Sequence, residues 1–434
     1  MWNYYNDKTI FITGGTGFLG TAIVYRLLTQ TSGCHIYMLC RGGIGKLRSK
    51  WTESLSSAIV ERLLSTNRIT AMNGDILSPD LGLSQNELNT LRQEVNVVIH
   101  SASSINLAKP LSGLSDVIIG ASERIAGIAL TCPNLDRFVY LSTGYCNSHL
   151  PPTGDGIKVE LKEDIYDPNP HPNANVMKEW AQVQESGTSD AYKAHDFPWS
   201  YAYAKNLTER LLLYQFAESG VKDKLLIVRP STIGPAQNFP YPGYNVPLSS
   251  PLTTVAAIIA LSPAGMVTVA TKAVEKASQA FIDEVPVDVV ADRVLVHLVI
   301  GTNGCVHAVV GKRGQHLLAD WWKSALSLRR LPGKLELNWK KLDWKSNEQH
   351  PLPRFYVVFG FPFEFHDDKT VALIGHPLVE SCKGLQLFTE SNFGKRWQSR
   401  AKGIYSVMNI IAKRDEKARQ SIKLYYQDFM KAKL

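Results

Sequence analysis

The sequence lacks several features that would place it in other classes of protein. None of its 6 cysteines forms a C-x-x-C pair, and the start, MWNYYNDKTIFITGG, lacks the charged-then-apolar pattern of a secretory signal. We therefore expect free thiols in a reducing compartment. The 11 histidines show no H-x-x-x-H spacing and no Cys/His pairing at ligand spacing, so no metal site is predicted. His366, beside Asp367 and Asp368, is interpreted as part of a surface cluster.

Two further absences concern the interior of the chain. No G-x-S-x-G elbow is found, which argues against an acyl-enzyme mechanism on serine. No charged side chain occurs between Arg229 and Lys272. Pro263 and Gly265 interrupt this stretch, and small and hydroxyl residues dilute it, so we do not predict a transmembrane segment. A buried helix pair is the simplest interpretation, and such a pair would also form a wall for an apolar substrate.

Acidic residues are scarce in the last 44 residues, which hold 11 Lys or Arg and only Asp415, Glu416 and Asp428. This segment therefore carries the whole net charge of +8, and the rest of the chain is neutral overall. A solvated helical face explains the pattern, and so does a surface for a phosphorylated carrier, an acidic carrier protein or a peripheral membrane contact. No nucleic-acid partner is predicted.

Short apolar runs alternate with helical patterns through the first half of the chain. The runs are TIFITGG, CHIYMLCR, RITAMNGDI, VNVVIHSAS, DRFVYLSTGYC and KLLIVRPST. This alternation predicts an α/β protein with a Rossmann-like doubly wound parallel sheet. With 434 residues, we expect residues 1–245 to form a dinucleotide-binding domain to which 283–310 return. Residues 246–434 would form a smaller α/β substrate-binding domain with a C-terminal helical region.

The segment TGGTGFLG places Gly14, Gly17 and Gly20 after a predicted strand and at the start of a predicted helix. Glycines in this position let the backbone turn tightly and approach a pyrophosphate, which the helix N-terminus then binds. The second strand ends at Arg41, with Lys46 and Arg48 close behind and no acid before Glu53. An arginine there accepts a 2′-phosphate, so the pattern favours NADPH over NADH.

The segment PWSYAYAKNLTERL places two tyrosines ahead of Lys205. Only Tyr201 lies four residues before Lys205 on a predicted helix, so these two side chains share a face and Tyr203 does not. We expect the ammonium to lower the pKa of the Tyr201 phenol, which would make it a proton donor. Ser142 and Thr143 end a parallel strand nearby, and one of them would bind the substrate carbonyl oxygen.

With these pieces in order, the chain resembles the extended short-chain dehydrogenase/reductases, and within them the fatty acyl-CoA reductase or "male sterility" branch. Besides TGGTGFLG and Arg41, the matching segments are GDI at 74–76, VIHSASS at 98–104, LSTGYCN at 141–147, YAYAKNLTE at 201–209, VRPSTIGPAQNFPYPGYN at 228–245 and VPVDVVAD at 285–292. The resemblance runs from about residue 8 to 310.

The resemblance implies a catalytic set of Thr143, Tyr201 and Lys205. It implies that Asp75 contacts the adenine, that Lys205 binds the ribose, and that Arg229 and Pro230 shape the nicotinamide end. Tyr244 stands where the family usually has a tryptophan. The full set of implied cofactor-binding residues is Gly14, Thr16, Gly17, Phe18, Leu19, Gly20, Arg41, Asp75, Ile76, Ser101, Lys205, Pro230, Ser231 and Ile233.

The function implied is NADPH-dependent reduction of an acyl thioester, most simply a fatty or other apolar acyl-CoA, to the aldehyde or on to the primary alcohol. The uncharged stretch would line the acyl chain. A carbonyl reductase, a dehydrogenase or a carrier-protein thioester reductase stays open, and a non-catalytic NADPH sensor is a further alternative. The final tripeptide Ala432-Lys433-Leu434 resembles a peroxisomal address, which predicts an import receptor as partner and a peroxisomal rather than cytoplasmic location.

Overall fold

The computed structural model describes residues 1–151, 158–168, 175–270, 281–343, 346–348, 363–390 and 393–425. The strands in these ranges are β1 (Thr9–Thr13), β2 (His35–Leu39), β3 (Ile69–Met72), β4 (Val97–His100), β5 (Arg137–Leu141), β6 (Val159–Leu161), β7 (Leu225–Pro230), β8 (Thr232–Gly234), β9 (Gly265–Ala270), β10 (Phe281–Ile282), β11 (Glu284–Pro286), β12 (Gly304–Ala308), β13 (His316–Leu317), β14 (Leu335–Lys340) and β15 (Phe363–Phe365).

The α-helices in the same ranges are α1 (Asn3–Asn6), α2 (Phe18–Gln30), α3 (Gly43–Thr52), α4 (Ser57–Leu64), α5 (Gln85–Glu94), α6 (Ala121–Leu130), α7 (Val176–Ser186), α8 (Asp190–Ala194), α9 (Ser200–Glu218), α10 (Pro251–Leu261), α11 (Val287–Ile300), α12 (Leu318–Ser327), α13 (Asp368–Val371), α14 (Pro377–Glu380), α15 (Phe393–Ser399), α16 (Ala401–Arg414) and α17 (Glu416–Ser421).

Seven strands form one parallel sheet in the order β12-β7-β5-β4-β1-β2-β3. The chain therefore winds outward from β1 in both directions, which is the doubly wound arrangement. The predicted Rossmann-like fold is confirmed. Each of the six apolar runs identified in the sequence supplies one strand, and β12 adds the seventh within the predicted returning segment 283–310.

Alternate residues of each strand pack on opposite faces of this sheet, because successive side chains point to opposite sides. Ile10 and Ile12 belong to a hydrophobic cluster with α2 and α11. Phe11 belongs to a second cluster with α5 and α6. Both faces are thus covered, which explains why the strands are apolar throughout.

The register aligns the carboxyl ends of the central strands β1, β2 and β4. Thr13 at the end of β1 pairs with Leu39 of β2 and with His100 of β4. The residues that follow these ends, including Gly14, Arg41 and Ser101, therefore meet at one edge of the sheet. In such sheets a ligand binds where strand order reverses, here between β1 and β4.

Helix α9 is buried on nearly all sides, although five of its central residues are polar. Burying a polar group costs free energy unless it is hydrogen-bonded, and the polar residues of α9 find partners. Asn206 Nδ2 donates to Asn147 Oδ1 at 3.0 Å, and Arg210 forms two bonds of 2.7 Å to Glu179. Helix α9 is accordingly held in a fixed orientation against the sheet.

The later part of the uncharged stretch, from Leu252 to Val269, packs into a separate hydrophobic cluster and does not form a helix pair. Helix α10 supplies one half, but its successor is strand β9, which pairs in parallel with β14. Leu252 and Val255 of α10 are buried in this cluster together with Val407 of α16. The predicted helix pair is therefore wrong in its second half, because the distant strand β14 completes a β-pair there.

Acidic residues on and before α11 tie several distant segments to this helix. Glu284 binds Arg400, which precedes α16, and Asp292 accepts a bond of 2.8 Å from Arg26 of α2. Asp288 accepts backbone bonds from the loop that contains Gln237. Strand β12 lies in the main sheet, whereas α10, β9 and α16 pack together. The division of the chain at residue 245 stays a prediction.

The basic C-terminal segment is described as far as residue 425. Arg400 is buried against Glu284, whereas Lys402, Lys413, Arg414 and Lys417 are exposed. In the ranges that the structure describes, no helix is both long and apolar enough to cross a membrane. The predicted targeting tripeptide Ala432-Lys433-Leu434 lies outside the described residues.

Candidate dinucleotide and catalytic site

The glycine turn has the geometry that close contact with a phosphate requires. Gly14 has a φ of +74°, and a Cβ there would lie 2.6 Å from the backbone nitrogen of Ala102. A Cβ on Gly20 would lie 2.2 Å from the carbonyl oxygen of Gly14. Helix α2 begins directly after Gly17, without a side-chain cap and without an acid in its first turn. Its backbone N–H groups are therefore available to an anion.

Basic side chains lie beside this turn at the end of β2. Arg41 is exposed, with Nη1 3.8 Å from Asp75 Oδ2. Lys46 and Lys50, one turn apart on α3, both line the cavity that contains the glycine turn. Lys50 also pairs with Glu53 at 2.9 Å, and Arg48, which is not part of the cavity lining, forms an ion pair with Glu61. Sequence reasoning noted Lys46 but missed Lys50, whose four-residue spacing from Lys46 was the available signal.

Tyr201 lies in the first turn of α9, close to Thr143, which follows the end of β5. Burial raises the pKa of the Tyr201 phenol, and the nearby Cys146 thiol adds to the rise, while Thr143 opposes it. The predicted lowering by Lys205 is wrong for the protein alone, because burial has the larger effect. Tyr201 is therefore fully protonated at neutral pH.

Lys205 is buried beneath the same cavity, and its Nζ donates to the carbonyl oxygen of Leu141 at 2.8 Å. Burial lowers its pKa to about 7, although the charges of Glu209 and Cys146 act in the opposite direction. The ammonium also lies 4.7 Å from the centre of the Tyr140 ring. Lys205 is thus fixed in position and close to its titration point at neutral pH.

Tyr203 points away from the cavity, as the helical spacing predicts. Its hydroxyl donates to Glu179 Oε1 at 2.6 Å and bonds with Ser189. Tyr203 is fully buried in a cluster with Ala202 and Leu207. Of the two tyrosines ahead of Lys205, Tyr201 alone lines the cavity, and Tyr203 has a packing role.

One cavity of about 620 Å³ collects most of the predicted site. Its lining includes Gly14, Thr16, Gly17, Phe18, Leu19, Gly20, Arg41, Asp75, Ile76, Ser101, Tyr201, Lys205, Pro230 and Ile233. The uncharged stretch contributes Pro230, Ile233 and Ser249 to this lining. The rest of that stretch, as far as the structure describes it, lies outside this lining.

Three other predicted residues lie beside the cavity rather than in its lining. The hydroxyl of Ser231 is 2.5 Å from Asp283 Oδ1 and donates to it. Thr143 contacts Tyr201, as described above. Arg229 is completely buried and binds Glu209 at 2.9 Å and 2.5 Å, so it supports α9 from below. Tyr244 is buried with its ring centre 5.5 Å from that of Phe18.

The cluster around His366 differs from its sequence interpretation. Asp367 is buried and binds Arg293 at 3.0 Å, so the prediction of a surface cluster is wrong for this residue. Glu160, Glu364 and His366 bring potential metal-ligand atoms within 4.8 Å of one another. Lys158 and Lys312 already form ion pairs with Glu364, which opposes the binding of a cation. The sequence could not indicate this group, because strands β6 and β15 pair across about 200 residues.

The site fits a nicotinamide dinucleotide. The cradle made by Gly14 and Gly20 would be filled by any side chain, and the uncapped start of α2 faces the same cavity. Tyr201 and Lys205 lie at the other end of the cavity, beyond the end of β5. A parallel sheet in this strand order, with these side chains at its carboxyl edge, defines an extended short-chain dehydrogenase/reductase.

Residues 12–294 match the NAD-binding family described as "Male sterility protein", and the chain therefore belongs to this family. It is similar to the putative fatty acyl-CoA reductase CG8306 of Drosophila melanogaster, with 29% identity over 263 residues, covering 57% of this chain and 48% of that protein. It is also similar to fatty acyl-CoA reductase 1 of Mus musculus, with 27% identity over 299 residues, covering 67% and 54%. The chain spans about half the length of these relatives.

Solved structures with this fold include the terminal R domain of the myxalamid PKS-NRPS pathway, with a TM-score of 0.62, 19% identity and coverage of 92% of this chain and 90% of that one. The reductase domain of a nonribosomal peptide synthetase from Mycobacterium tuberculosis gives a TM-score of 0.61 at 15% identity, covering 92% of each chain. These likenesses concern the fold. The resemblance to the fatty acyl-CoA reductase branch is confirmed by the family match and by the curated relatives.

Proposed function

We propose that this chain reduces an acyl thioester with NADPH, most simply an apolar acyl-CoA, to an aldehyde and a free thiol. The observation that carries the proposal is the single cavity in which the glycine turn, Tyr201 and Lys205 meet. The printed names of the curated relatives support an acyl-CoA as substrate. Apolar side chains of Ile105, Val117 and Ile233 line the same cavity and suit an apolar acyl group.

The proposed chemistry begins with Tyr201. NADPH, when bound, supplies the hydride that converts the thioester carbonyl carbon to a tetrahedral centre. The carbonyl oxygen gains negative charge, and the protonated phenol of Tyr201 donates its proton to that oxygen. A raised pKa suits this direction of reaction, because it keeps the proton on Tyr201 until a more basic oxygen forms. The C–S bond of the resulting hemithioacetal then breaks, which gives the aldehyde and the thiol.

Thr143 and Lys205 have supporting roles in this proposal. Thr143 lies close to the Tyr201 side chain and, as the family resemblance implies, would bind the developing oxyanion together with it. Lys205 is held by Leu141 and would bind the ribose next to the nicotinamide. Its positive charge would also favour the phenolate that remains on Tyr201 after proton transfer. A second round of hydride transfer would reduce the aldehyde to the primary alcohol.

NADPH rather than NADH is proposed as the reductant. Arg41, Lys46 and Lys50 place three positive charges at the end of the cavity where β2 stops. Asp75 Oδ2 lies 3.8 Å from Arg41 Nη1, and Glu53 pairs with Lys50 at 2.9 Å. A 2′-phosphate carries negative charge that this group of cations would neutralise, whereas a plain ribose hydroxyl would not.

Two alternatives of the same class remain open. A carbonyl reductase or dehydrogenase acting on a ketone would use the same hydride and the same Tyr201. A carrier-protein thioester would present the same carbonyl on a phosphorylated carrier. The exposed Lys413, Arg414 and Lys417 would suit such a carrier by charge.

We also propose a peroxisomal location, because the sequence Ala432-Lys433-Leu434 is similar to a peroxisomal address.

The test is to follow NADPH oxidation with a panel of acyl-CoAs of increasing chain length, while free thiol and aldehyde or alcohol are quantified. We expect one thiol released for each aldehyde formed, with faster turnover for apolar chains and with NADPH than with NADH. Oxidation with free ketones or aldehydes but with no thioester would contradict thioester reduction. Activity only on a carrier-protein thioester would reassign the carrier but retain the chemistry.

A further inference from the structure

The hydroxyl of Ser142 is buried without a hydrogen-bond partner among the residues that the structure describes. The residue is 7% exposed, and its side chain lines the same cavity as Tyr201 and Lys205. Its backbone is fixed, because its N–H donates to the carbonyl oxygen of Val228 in β7 at 2.8 Å. Buried polar groups in folded proteins are normally paired, so an unpaired hydroxyl that faces a cavity points to a ligand.

The residues on either side of Ser142 already have partners. The carbonyl oxygen of Leu141 accepts a hydrogen bond from Lys205 Nζ at 2.8 Å. The hydroxyl oxygen of Thr143 accepts a bond from the N–H of Tyr145 at 3.3 Å, and Thr143 also lies close to Tyr201. Of these consecutive polar groups at the end of β5, the hydroxyl of Ser142 is the one without a partner in the described structure.

The position of Ser142 in the sheet indicates which part of a dinucleotide it would meet. The glycine turn follows β1, and Arg41 follows β2 on the far side of β1. Ser142 follows β5, which lies beyond β4 on the opposite side of β1. A dinucleotide bound across this edge, with its 2′-phosphate near Arg41, therefore places its nicotinamide end near Ser142.

We propose that the Ser142 hydroxyl hydrogen-bonds the nicotinamide end of the dinucleotide and positions it against Tyr201. This inference rests on the proposed function only in its choice of cofactor. The bond supplies Ser142 with the partner that the protein alone does not provide. Ser142 then positions the cofactor, while the adjacent Thr143 lies beside Tyr201.

The test measures binding by calorimetry in the absence of any acyl substrate, with Ser142→Ala and two probes. One probe is whichever of NADPH and NADH the wild-type protein binds more tightly. The other is adenosine 2′,5′-bisphosphate, which carries the adenine and phosphates but no nicotinamide. We expect Ser142→Ala to weaken dinucleotide binding about tenfold, as for loss of one buried hydrogen bond, and to leave bisphosphate binding unchanged.

A matched control is Ser148→Ala. Ser148 is another buried serine whose hydroxyl lacks a partner among the described residues, but it is not part of the cavity lining. We expect both dissociation constants to stay at their wild-type values in this variant. The melting temperature of each variant without ligand should be no lower than that of the wild type, because neither substitution removes a hydrogen bond made within the described structure.

Three results would overturn the inference. Unchanged dinucleotide binding in Ser142→Ala, with a loss of turnover only, would assign the hydroxyl to the substrate instead. An equal loss for both probes would indicate a general distortion of the cavity. Unchanged binding and turnover would leave Ser142 without a ligand role. Because binding is measured without a thioester, a failure of thioester reduction in the wild type would be seen separately and would not alter the result for Ser142.

Discussion

Replacement of Lys205 by methionine tests whether burial of the Lys205 ammonium lowers the free energy of unfolding. Burial lowers the pKa of Lys205 from 10.5 to about 7. At about 1.4 kcal/mol for each factor of ten, that gap corresponds to about 5 kcal/mol by which the folded protein disfavours the ammonium. Methionine has a similar length and no charge, so Lys205→Met removes this cost together with the hydrogen bond to Leu141.

The sign of the pH dependence follows from the lowered pKa. Between about pH 7 and 10.5 the unfolded chain keeps the Lys205 proton while the folded protein releases it, so the free energy of unfolding rises with pH in this window. Below about pH 7 the side chain is charged in both states, and the cost of burial is fully present. Between about pH 6 and pH 9, the stability of the wild type relative to Lys205→Met should therefore rise by about 2–3 kcal/mol.

The assay is denaturant unfolding of both proteins at several pH values without ligand, followed by subtraction of the two curves. Groups other than Lys205 titrate in both proteins and largely cancel in the difference. We expect the variant to be the more stable of the two at pH 6 and its advantage to shrink as pH rises. Parallel curves would refute the reasoning, because they would mean that Lys205 titrates in the folded protein as it does in water. Turnover should be lost in the variant at every pH.

The remaining predictions concern the cofactor turn, the support of α9 and the choice of cofactor. Gly14→Ala should lower dinucleotide affinity at least about tenfold in a binding titration, because the methyl group would meet backbone and a φ of +74° strains alanine. Arg229→Met should lower the free energy of unfolding by about 3–5 kcal/mol in denaturant, because it leaves the buried Glu209 carboxylate unpaired. Arg41→Ala should raise KM for NADPH about tenfold and change KM for NADH less than about twofold, whereas Arg48→Ala should change neither.

Each of these has a control or a contradicting result. Gly127 lies on an exposed face of α6 with nothing near its missing side chain, so Gly127→Ala should leave affinity unchanged and stabilise the helix slightly. Normal stability in Arg229→Met would mean that the pair with Glu209 is not needed to hold α9. An equal loss for NADPH and NADH in Arg41→Ala would show that Arg41 does not read the 2′-phosphate.

The main sheet and the general place of the site could be predicted from sequence for a simple physical reason. A strand covered on both faces must be apolar along its length, so β1 to β5 and β7 appear as short apolar runs separated by helical patterns. The residues that follow such runs gather at one edge of a parallel sheet. That rule brought together the glycine turn, Arg41 and the pair Ser142 and Thr143 without any coordinates.

Contacts between distant segments could not be predicted from apolar runs and strand ends. Strand β9 finds its partner β14 about 70 residues later, so the helix pair predicted for the uncharged stretch was wrong in its second half. The strand pair β6 and β15 likewise joins Glu160 to Glu364 with no local signal. Such pairings depend on packing against the rest of the fold, which neither propensity nor periodicity records.

Burial was the other quantity that the sequence did not reveal. The spacing of Tyr201 and Lys205 correctly placed both side chains at the cavity, but not the depth at which they lie. At that depth burial has more effect on the phenol than a neighbouring ammonium, so the pKa of Tyr201 rises where a fall was predicted. For the same reason the sequence did not predict that Asp367 is buried against Arg293.

The most direct test of the central proposal compares Tyr201→Phe with Tyr203→Phe. Binding of NADPH is measured by titration, and thioester reduction is measured by thiol release from the best acyl-CoA. Tyr201→Phe should bind NADPH within about threefold of the wild type and lose turnover by about 10²–10⁴, as expected for loss of a general acid. Tyr203→Phe should lose stability through its bond to Glu179 but retain turnover. Turnover near the wild-type rate in Tyr201→Phe would contradict the account.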